Sequence, residues 1–131
     1  IGDDVDLAPR VHILAHDAST KAQLGYTRIG KVEIGNRVFV GAGSLILPGV
    51  TIGDDIVIGA GSVVSRDIPS GKVVAGNPFQ IIGETRDYME RKKEELSKCP
   101  TFDASYTVDH GVSDEMKQEM NSLMDNIGYV D

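Results

Sequence analysis

The stretch VGAGSLILPGVTIGDDIVIGAGSVV, which runs from Val40 to Val64, contains the four letters GAGS twice, at Gly41–Ser44 and again at Gly59–Ser62. Through this stretch and beside it, a branched aliphatic residue recurs at every sixth position: Ile34, Val40, Ile46, Ile52, Ile58 and Val64. A second set, four positions after each of these, is small or apolar throughout: Val38, Ser44, Val50, Ile56, Ser62 and Ile68. The sequence therefore has a strict period of six.

A period of six fits neither an amphipathic helix nor a plain half-buried strand, whose periods are about 3.6 and 2. It fits a short strand with a turn at each end. Three such strands make a triangular coil of about 18 residues, and parallel coils stack equivalent residues on one another, so GAGS recurs after one coil. Glycine follows the inward aliphatic residue at corners such as Gly41 and Gly59, where a side chain would be costly. A β-sandwich also has many turns, but it would not keep this phase.

The first segment belongs to the same pattern, with Ile1, Leu7 and Ile13 in the first set and Val5 and Val11 in the second. The spacing from Ile13 to Ile34 is not a multiple of six. We therefore predict a loop over residues 17–33, a polar stretch in which Asp17 takes a position that other repeats give to an inward residue.

The period is lost after Gly83, which predicts two domains, 1–83 and a helical extension at 84–131. Residues 84–98 and 113–126 are predicted helices, the second with Ser113 as N-cap. Its apolar stripe is predicted to pack against the coils or a neighbouring subunit: Met116, Met120, Leu123, Met124 and Ile127.

Composition excludes several classes of function. The chain has a formal charge of −7, with 7 Lys and Arg against 8 Asp and Glu in residues 1–83 and 6 against 12 in residues 84–131. An acidic chain without a basic stripe disfavours nucleic-acid binding. No apolar run approaches the roughly 20 residues of a membrane span. Cys99 is the single cysteine, so we expect no internal disulfide and a reducing, cytoplasmic location.

The pattern IGxxxxIGAGSVVxxDIPxxxVVAGNPxxII, at Ile52 to Ile82, resembles the hexapeptide-repeat acyltransferases, and most of all the maltose and galactoside O-acetyltransferases. The resemblance covers about Ile1 to Gly83. It implies an all-β solenoid, a left-handed parallel β-helix of hexapeptide repeats, here with an inserted loop and a C-terminal helical tail. It also implies a homotrimer that transfers acetyl from acetyl-CoA to a hydroxyl of a sugar or polysaccharide-precursor acceptor.

His16 is the candidate catalytic residue, because it stands on the last repeat before the loop leaves the coil. A histidine has a reference pKa of about 6.5, so its neutral ring can take a proton from an attacking hydroxyl near neutral pH. In the resembling family a histidine at the corresponding insertion is the general base. Asp17 could orient a ring or bind the acceptor, or it could simply form a turn. His12 is predicted to face outward, and nothing frames His110.

For the donor, the resemblance implies acetyl-CoA along a groove between two β-helices, beside the small residues Ala42 and Ala60, which could equally be corner fillers. Ser65 and Arg66 match a Thr-Lys pair that contacts the nucleotide end of the donor in the family, and an arginine can hold a phosphate through a bidentate contact. Gln80 replaces a basic residue often found there.

Three rival interpretations of the sequence compete with this one. The carbonic anhydrase branch of the family binds zinc through three histidines, but the GAGS coils hold none, so we expect no metal site. The second is an N-acyltransferase acting on a nucleotide-linked amino sugar. The third is a non-catalytic structural subunit, against which the intact loop with His16 argues.

Overall fold

The computed structural model describes residues Ile1–Asp131, which form two compact units, Ile1–Tyr88 and Met89–Asp131. The first unit is built almost entirely from short strands. They are β1 (Val5–Leu7), β2 (His12–Ile13), β3 (His16–Asp17), β4 (Arg28–Ile29), β5 (Glu33–Ile34), β6 (Val38–Val40), β7 (Leu45–Ile46), β8 (Thr51–Ile52), β9 (Ile56–Ile58), β10 (Val63–Val64), β11 (Lys72–Gly76) and β12 (Phe79–Glu84), with the short helix α1 (Lys21–Leu24) between β3 and β4.

Three parallel stacks of strands organise the first unit: β1, β6, β9 and β11; β2, β7 and β10; and β5 with β8. From β5 onward the chain visits the third, first and second stack in a fixed order and then repeats it. After the loop, each residue pairs with its equivalent one repeat of GAGS further on, as Val38 does with Ile56 and Ile34 with Ile52. The predicted parallel stacking of short strands at this repeat is therefore confirmed.

The core consists of the residues that the six-residue phase selects. All 12 members of the two sets from Ile34 to Ile68 are buried, and none is more than 5% exposed. The earlier members are less covered: Ile13, Val5 and Val11 are half-buried, whereas Ile1 and Leu7 are exposed. This first coil is the outermost one in the structure, so other coils cover it from one side only.

Three of the four residues of GAGS have separate structural roles. A Cβ on Gly41 would lie 2.5 Å from the backbone nitrogen of Ala60, so the first glycine permits the close approach of successive coils. Gly43 has a φ of 69°, which side chains rarely adopt. Ser44 points inward, where its hydroxyl donates to the carbonyl of Gly59 and accepts from the backbone N–H of Ser62. The hydroxyl of the buried Ser44 is therefore satisfied by the neighbouring coil.

A second corner is joined by polar side chains. Asp54 Oδ1 accepts hydrogen bonds from the backbone N–H of Asn36 (2.7 Å) and from its side chain, and Ser70 Oγ accepts from the backbone N–H of Asp54 (2.9 Å). Beside this ladder the guanidinium of Arg37 donates two hydrogen bonds to Asp55 in the next coil. Each coil therefore caps the backbone of its neighbour.

The last part of the first unit departs from the coil. After the bridge between Ile52 and Ile68, β11 pairs in parallel with β9 and then in antiparallel fashion with β12, so the chain ends its stack in a hairpin. Phe79, the first residue of β12, is almost fully buried. The sequence analysis extended the repeat to Gly83, whereas its last buried members are Val64 and Ile68, and an antiparallel hairpin replaces the coil after them.

The two helices predicted in the tail are present, as α2 (Thr85–Leu96) and α3 (Asp114–Leu123). Between and after them lie β13 (Thr101–Phe102), two 3₁₀ turns (Ala104–Tyr106 and Val108–His110) and β14 (Tyr129–Val130), which pairs with β13. None of these helices has the length and apolar character that crossing a membrane would require.

The helix α3 begins as predicted, because Ser113 Oγ accepts from the backbone N–H of Met116. It is shorter than predicted, since the chain leaves the helix at Met124 and turns back so that β14 can pair with β13. Gly128 makes this return possible, for a Cβ there would lie 2.7 Å from the sulfur of Met124. Of the apolar stripe, Met116, Met120 and Met124 are half-buried, while Leu123 and Ile127 are exposed.

Candidate active site

His16 stands where the first coil stops and the loop begins. The strand β2 still follows the coil, because Leu14 N–H donates to the carbonyl of Ile46. Beyond Leu14, β3 turns away and pairs antiparallel with β4, with His16 opposite Ile29 and Asp17 opposite Arg28. The imidazole is exposed. The departure from the coil therefore carries the histidine out of the stack and onto a hairpin.

The loop is an ordered β-hairpin rather than an irregular excursion. Gly30 N–H donates to the carbonyl of Ala15 at its base, and Thr20 Oγ1 donates to the carbonyl of Tyr26 near its tip. Gly25, with a φ of 77°, ends α1 and lets the chain return. The chain rejoins the stack when Glu33 N–H donates to the carbonyl of Val50. The strands β2 and β7 therefore remain neighbours in their stack although the whole loop lies between them in sequence.

Two cavities meet at His16. The larger, of about 560 Å³, we call the loop cavity, and it is lined by Leu14, His16, Asp17, Ala18, Arg28, Leu47, Pro48 and Ser65. The smaller, of about 440 Å³, we call the hairpin cavity, and it is lined by Ala15, His16, Ile29, Gly30 and Lys31. His16 is the one residue that lines both. A proton acceptor on this ring could serve groups bound on either side of it.

Asp17 is held by the turn that follows it. The backbone N–H of Ser19 donates to Asp17 Oδ1 at 2.8 Å, and this hydrogen bond is the main reason that the pKa of the Asp17 carboxyl lies below its ordinary value. The charges of Arg28 and His16 lower this pKa further, to a smaller extent. Asp17 is therefore a carboxylate at neutral pH, with one oxygen committed to the loop itself.

The other predicted donor residues are only partly brought to this place. Ser65 lines the loop cavity together with His16, and it occupies the position stacked above Leu47. Ala42 and Ala60 are exposed, but they lie at the corner between the first and second stacks and line neither cavity. Gly61 N–H donates to the carbonyl of Ala42, so Ala42 and Ala60 belong to adjacent coils.

Arg66 is fixed by contacts within its own chain. Its guanidinium lies 4.2 Å from the centroid of the Phe79 ring, and Nη2 donates to the carbonyl of Phe79 at 3.1 Å. Stacking on an aromatic ring and one hydrogen bond orient the planar head group. The residue as a whole is exposed. The sequence did not predict these contacts between Arg66 and Phe79, since Phe79 belongs to the hairpin and not to the repeat.

The remaining histidines have other surroundings. His12 is exposed on β2 and His110 lies in the second unit, where its Nδ1 is 2.8 Å from Thr107 Oγ1. The chain contains no group of three or more His, Cys, Asp or Glu side chains that could hold a metal ion. Arg28 is the functional candidate that sequence analysis missed, and only the pairing of β3 with β4 places it beside His16.

Comparison with known proteins finds the same six-residue repeat in a known family. Residues 31–66 match the family model described as bacterial transferase hexapeptide (six repeats). Nodulation protein L of Rhizobium meliloti (strain 1021) is 48% identical over 86 residues, which are 63% of this chain and 47% of that protein. The galactoside O-acetyltransferase of Escherichia coli (strain K12) is 43% identical over 93 residues, 66% of this chain and 44% of that protein. The chain spans about half the length of the curated relatives it matches.

Solved structures give the same picture. A galactoside acetyltransferase in complex with coenzyme A matches with a TM-score of 0.60 and 40% identity, over 67% of this chain and 46% of that one. AntD, an N-acyltransferase from Bacillus cereus in complex with dTDP and coenzyme A, matches with a TM-score of 0.56 and 29% identity, over 73% of this chain and 58% of that one.

Proposed function

Because this chain belongs to the hexapeptide-repeat transferases, we propose that it is an acetyl-CoA-dependent O-acetyltransferase whose acceptor is a hydroxyl of a sugar or a sugar-containing molecule. The observation that carries the proposal is the position of His16, which lies between the two cavities where the loop leaves the coils. The similarity to a galactoside acetyltransferase that binds coenzyme A supports the choice of donor and acceptor. We assign transfer to residues 1–83.

The proposed mechanism is direct transfer. The neutral imidazole of His16 takes the proton of the acceptor hydroxyl, and the oxygen attacks the carbonyl carbon of the thioester. The carbon–sulfur bond then breaks, and the leaving thiolate of CoA takes the proton from the imidazolium. Backbone N–H groups beside the groove would stabilise the negative charge that develops on the carbonyl oxygen. No covalent enzyme intermediate is formed.

We propose further that the active site is completed in a homotrimer of left-handed β-helices. Ala42 and Ala60 line neither cavity around His16 within one chain, and a donor that lies between two chains would contact them and reach the histidine of the neighbouring chain. Exposed apolar side chains on the stacks, such as Phe39 (42% exposed), are surfaces that assembly would cover. Sedimentation at micromolar protein tests this assembly, and a monomer would remove the proposed groove.

The central experiment is a thiol-release assay with acetyl-CoA and a panel of sugars and nucleotide-linked amino sugars. Transfer to hydroxyls supports the proposal, and mass spectrometry identifies the acylated atom. The second candidate, N-acylation of a nucleotide-linked amino sugar, is favoured by the similarity to AntD, and transfer restricted to amines would select it. No acyl transfer to any acceptor, with His16 intact, would instead support a structural role.

A further inference from the structure

The loop cavity contains an arginine that the reaction described above does not use. Arg28 lies on β4 directly across from Asp17 and next to Ile29, the partner of His16. Arg28 lines the loop cavity together with His16 and Asp17. Its head group lies against the coil, because Nη2 is 3.3 Å from the point where a Cβ on Gly49 would stand. The absence of a side chain at Gly49 therefore gives the guanidinium a place on the cavity wall.

This guanidinium is not engaged by a hydrogen bond within the chain. The side chain of Arg28 makes no ion pair within 4 Å and no hydrogen bond. Asp17, its cross-strand neighbour, already accepts the backbone N–H of Ser19. The other cation beside His16 differs in this respect, since Lys31 pairs with Glu33. Arg28 is therefore the positive group at the site that is free to bind a ligand.

From this placement we propose that the acceptor carries an anionic group, a carboxylate or a phosphate, which Arg28 binds while His16 meets the hydroxyl. The inference rests on the proposed function and narrows its substrate class. A planar guanidinium donates two parallel hydrogen bonds to an anionic oxygen pair, which fixes orientation as well as charge. Such a contact would hold the acceptor in the loop cavity beside His16. Arg28 would then be a specificity-determining residue, not a catalytic one.

The net charge of the chain makes an unpaired cation at this site informative. With a formal charge of −7, the protein as a whole repels anions. A surface arginine in such a chain would commonly meet a carboxylate of its own, as Arg37 meets Asp55. Arg28 forms no such ion pair, although its charge acts on the nearby Asp17, and it lines a cavity of about 560 Å³. This cavity is large enough for a monosaccharide with a charged substituent.

The test compares galactose with galacturonate and galactose 6-phosphate, which share a ring and differ in one group. Binding to the full chain is followed by the imidazole signals of His16 in NMR spectra, and transfer is followed by thiol release. We expect the wild-type protein to bind one of the two anions at least about tenfold more tightly than galactose. Arg28→Gln should abolish this preference and leave galactose binding unchanged. Arg28→Lys should keep part of it, and Lys21→Gln, in the same loop but outside both cavities, should keep all of it.

The arms separate the alternatives. The proposal fails if neither anion binds more tightly than galactose. It also fails if Arg28→Gln weakens galactose and its anions equally, which would mean that Arg28 supports the shape of the loop. A rise in the KM for acetyl-CoA alone would assign Arg28 to a phosphate of the donor and overturn it too. If Arg28-dependent anion binding is found without transfer to any acceptor, the inference stands and the proposed function fails.

Discussion

The stacked coils and the loop at residues 17–33 differ in whether their polar and charged side chains are buried or exposed. Inside the coils the polar residues are Ser44 and Ser62, and both are fully buried. Ser44 is hydrogen-bonded to the next coil, and the hydroxyl of Ser62 donates to Gly59 of its own coil and accepts from the backbone N–H of Gly76. The loop has no buried residue at all, and it carries Asp17, Arg28 and Lys31 beside the candidate base. Regular packing thus buries the residues of the coils, and the interruption of that packing exposes the charged groups around the candidate base.

The largest expected effect tests the loop. His16→Ala should lower kcat by about 10²–10⁴-fold, the range for loss of a positioned general base, while binding of acetyl-CoA is largely retained. The reason is that His16 meets the acceptor hydroxyl, whereas the proposed donor contacts lie on the coils. Steady-state kinetics with the best acceptor, together with direct titration of CoA, measures both quantities.

His12→Ala is the matched control, since that histidine is exposed on the coil and lines neither cavity, and its turnover should be close to wild type. If His16→Ala retained most of its turnover, the assignment of proton transfer to His16 and of donor binding to the coils would be wrong.

The next effect tests the coils. Gly41→Ala should lower the free energy of unfolding by about 1–3 kcal/mol, because the added methyl would lie 2.5 Å from Ala60 N and the coils would have to separate. Gly83→Ala provides the comparison, for a Cβ there meets nothing within 4 Å, and its stability should be close to wild type. Urea denaturation of both variants measures the difference. Equal stability would show that close stacking of coils does not require glycine at this corner.

A smaller effect distinguishes frame from binding surface within one coil. Ala60→Leu should raise the KM for acetyl-CoA by about tenfold or more, because the longer side chain would occupy the proposed donor groove. The melting temperature should hardly change, since Ala60 is exposed. Loss of stability in proportion to loss of donor affinity would instead make Ala60 a corner filler.

The smallest effect concerns the ion pair of Arg37 with Asp55, which joins two coils on the surface. The hydrogen bonds from Arg37 lower the pKa of the Asp55 carboxyl. A carboxyl whose pKa is lowered by folding contributes stability above its ordinary pKa and loses that contribution as the pH falls through the lowered value. Arg37→Gln should therefore lower the melting temperature slightly at neutral pH and not in strong acid. An equal loss at both pH values would exclude the ion pair as the cause.

Much of the frame could be predicted from sequence, because burial in stacked coils imposes one residue type at one spacing. The phase of six selected every one of the fully buried positions from Val38 to Val64. It did not select Phe79 or the hairpin of β11 and β12, since a hairpin depends on antiparallel pairing that has no fixed period. The same limit applies to the candidate site. His16 and Asp17 were found where the period breaks, but Arg28 was not, because its proximity arises only when β3 pairs with β4.

The fixed order in which the chain visits its three stacks has a consequence for insertions and deletions. The loop lengthens the path from β2 to β7 beyond that of an ordinary coil, yet His12 still meets Leu45 in the same phase in which Leu45 meets Val63. Adding or removing a whole coil after the loop would likewise preserve the face on which every later residue lies. A change of a single hexapeptide in the coils would rotate everything downstream by one side of the triangle, carrying Ser65 away from His16 without altering a single hydrophobic position. In this architecture, the number of residues between two positions determines which side of the triangular coil each one occupies.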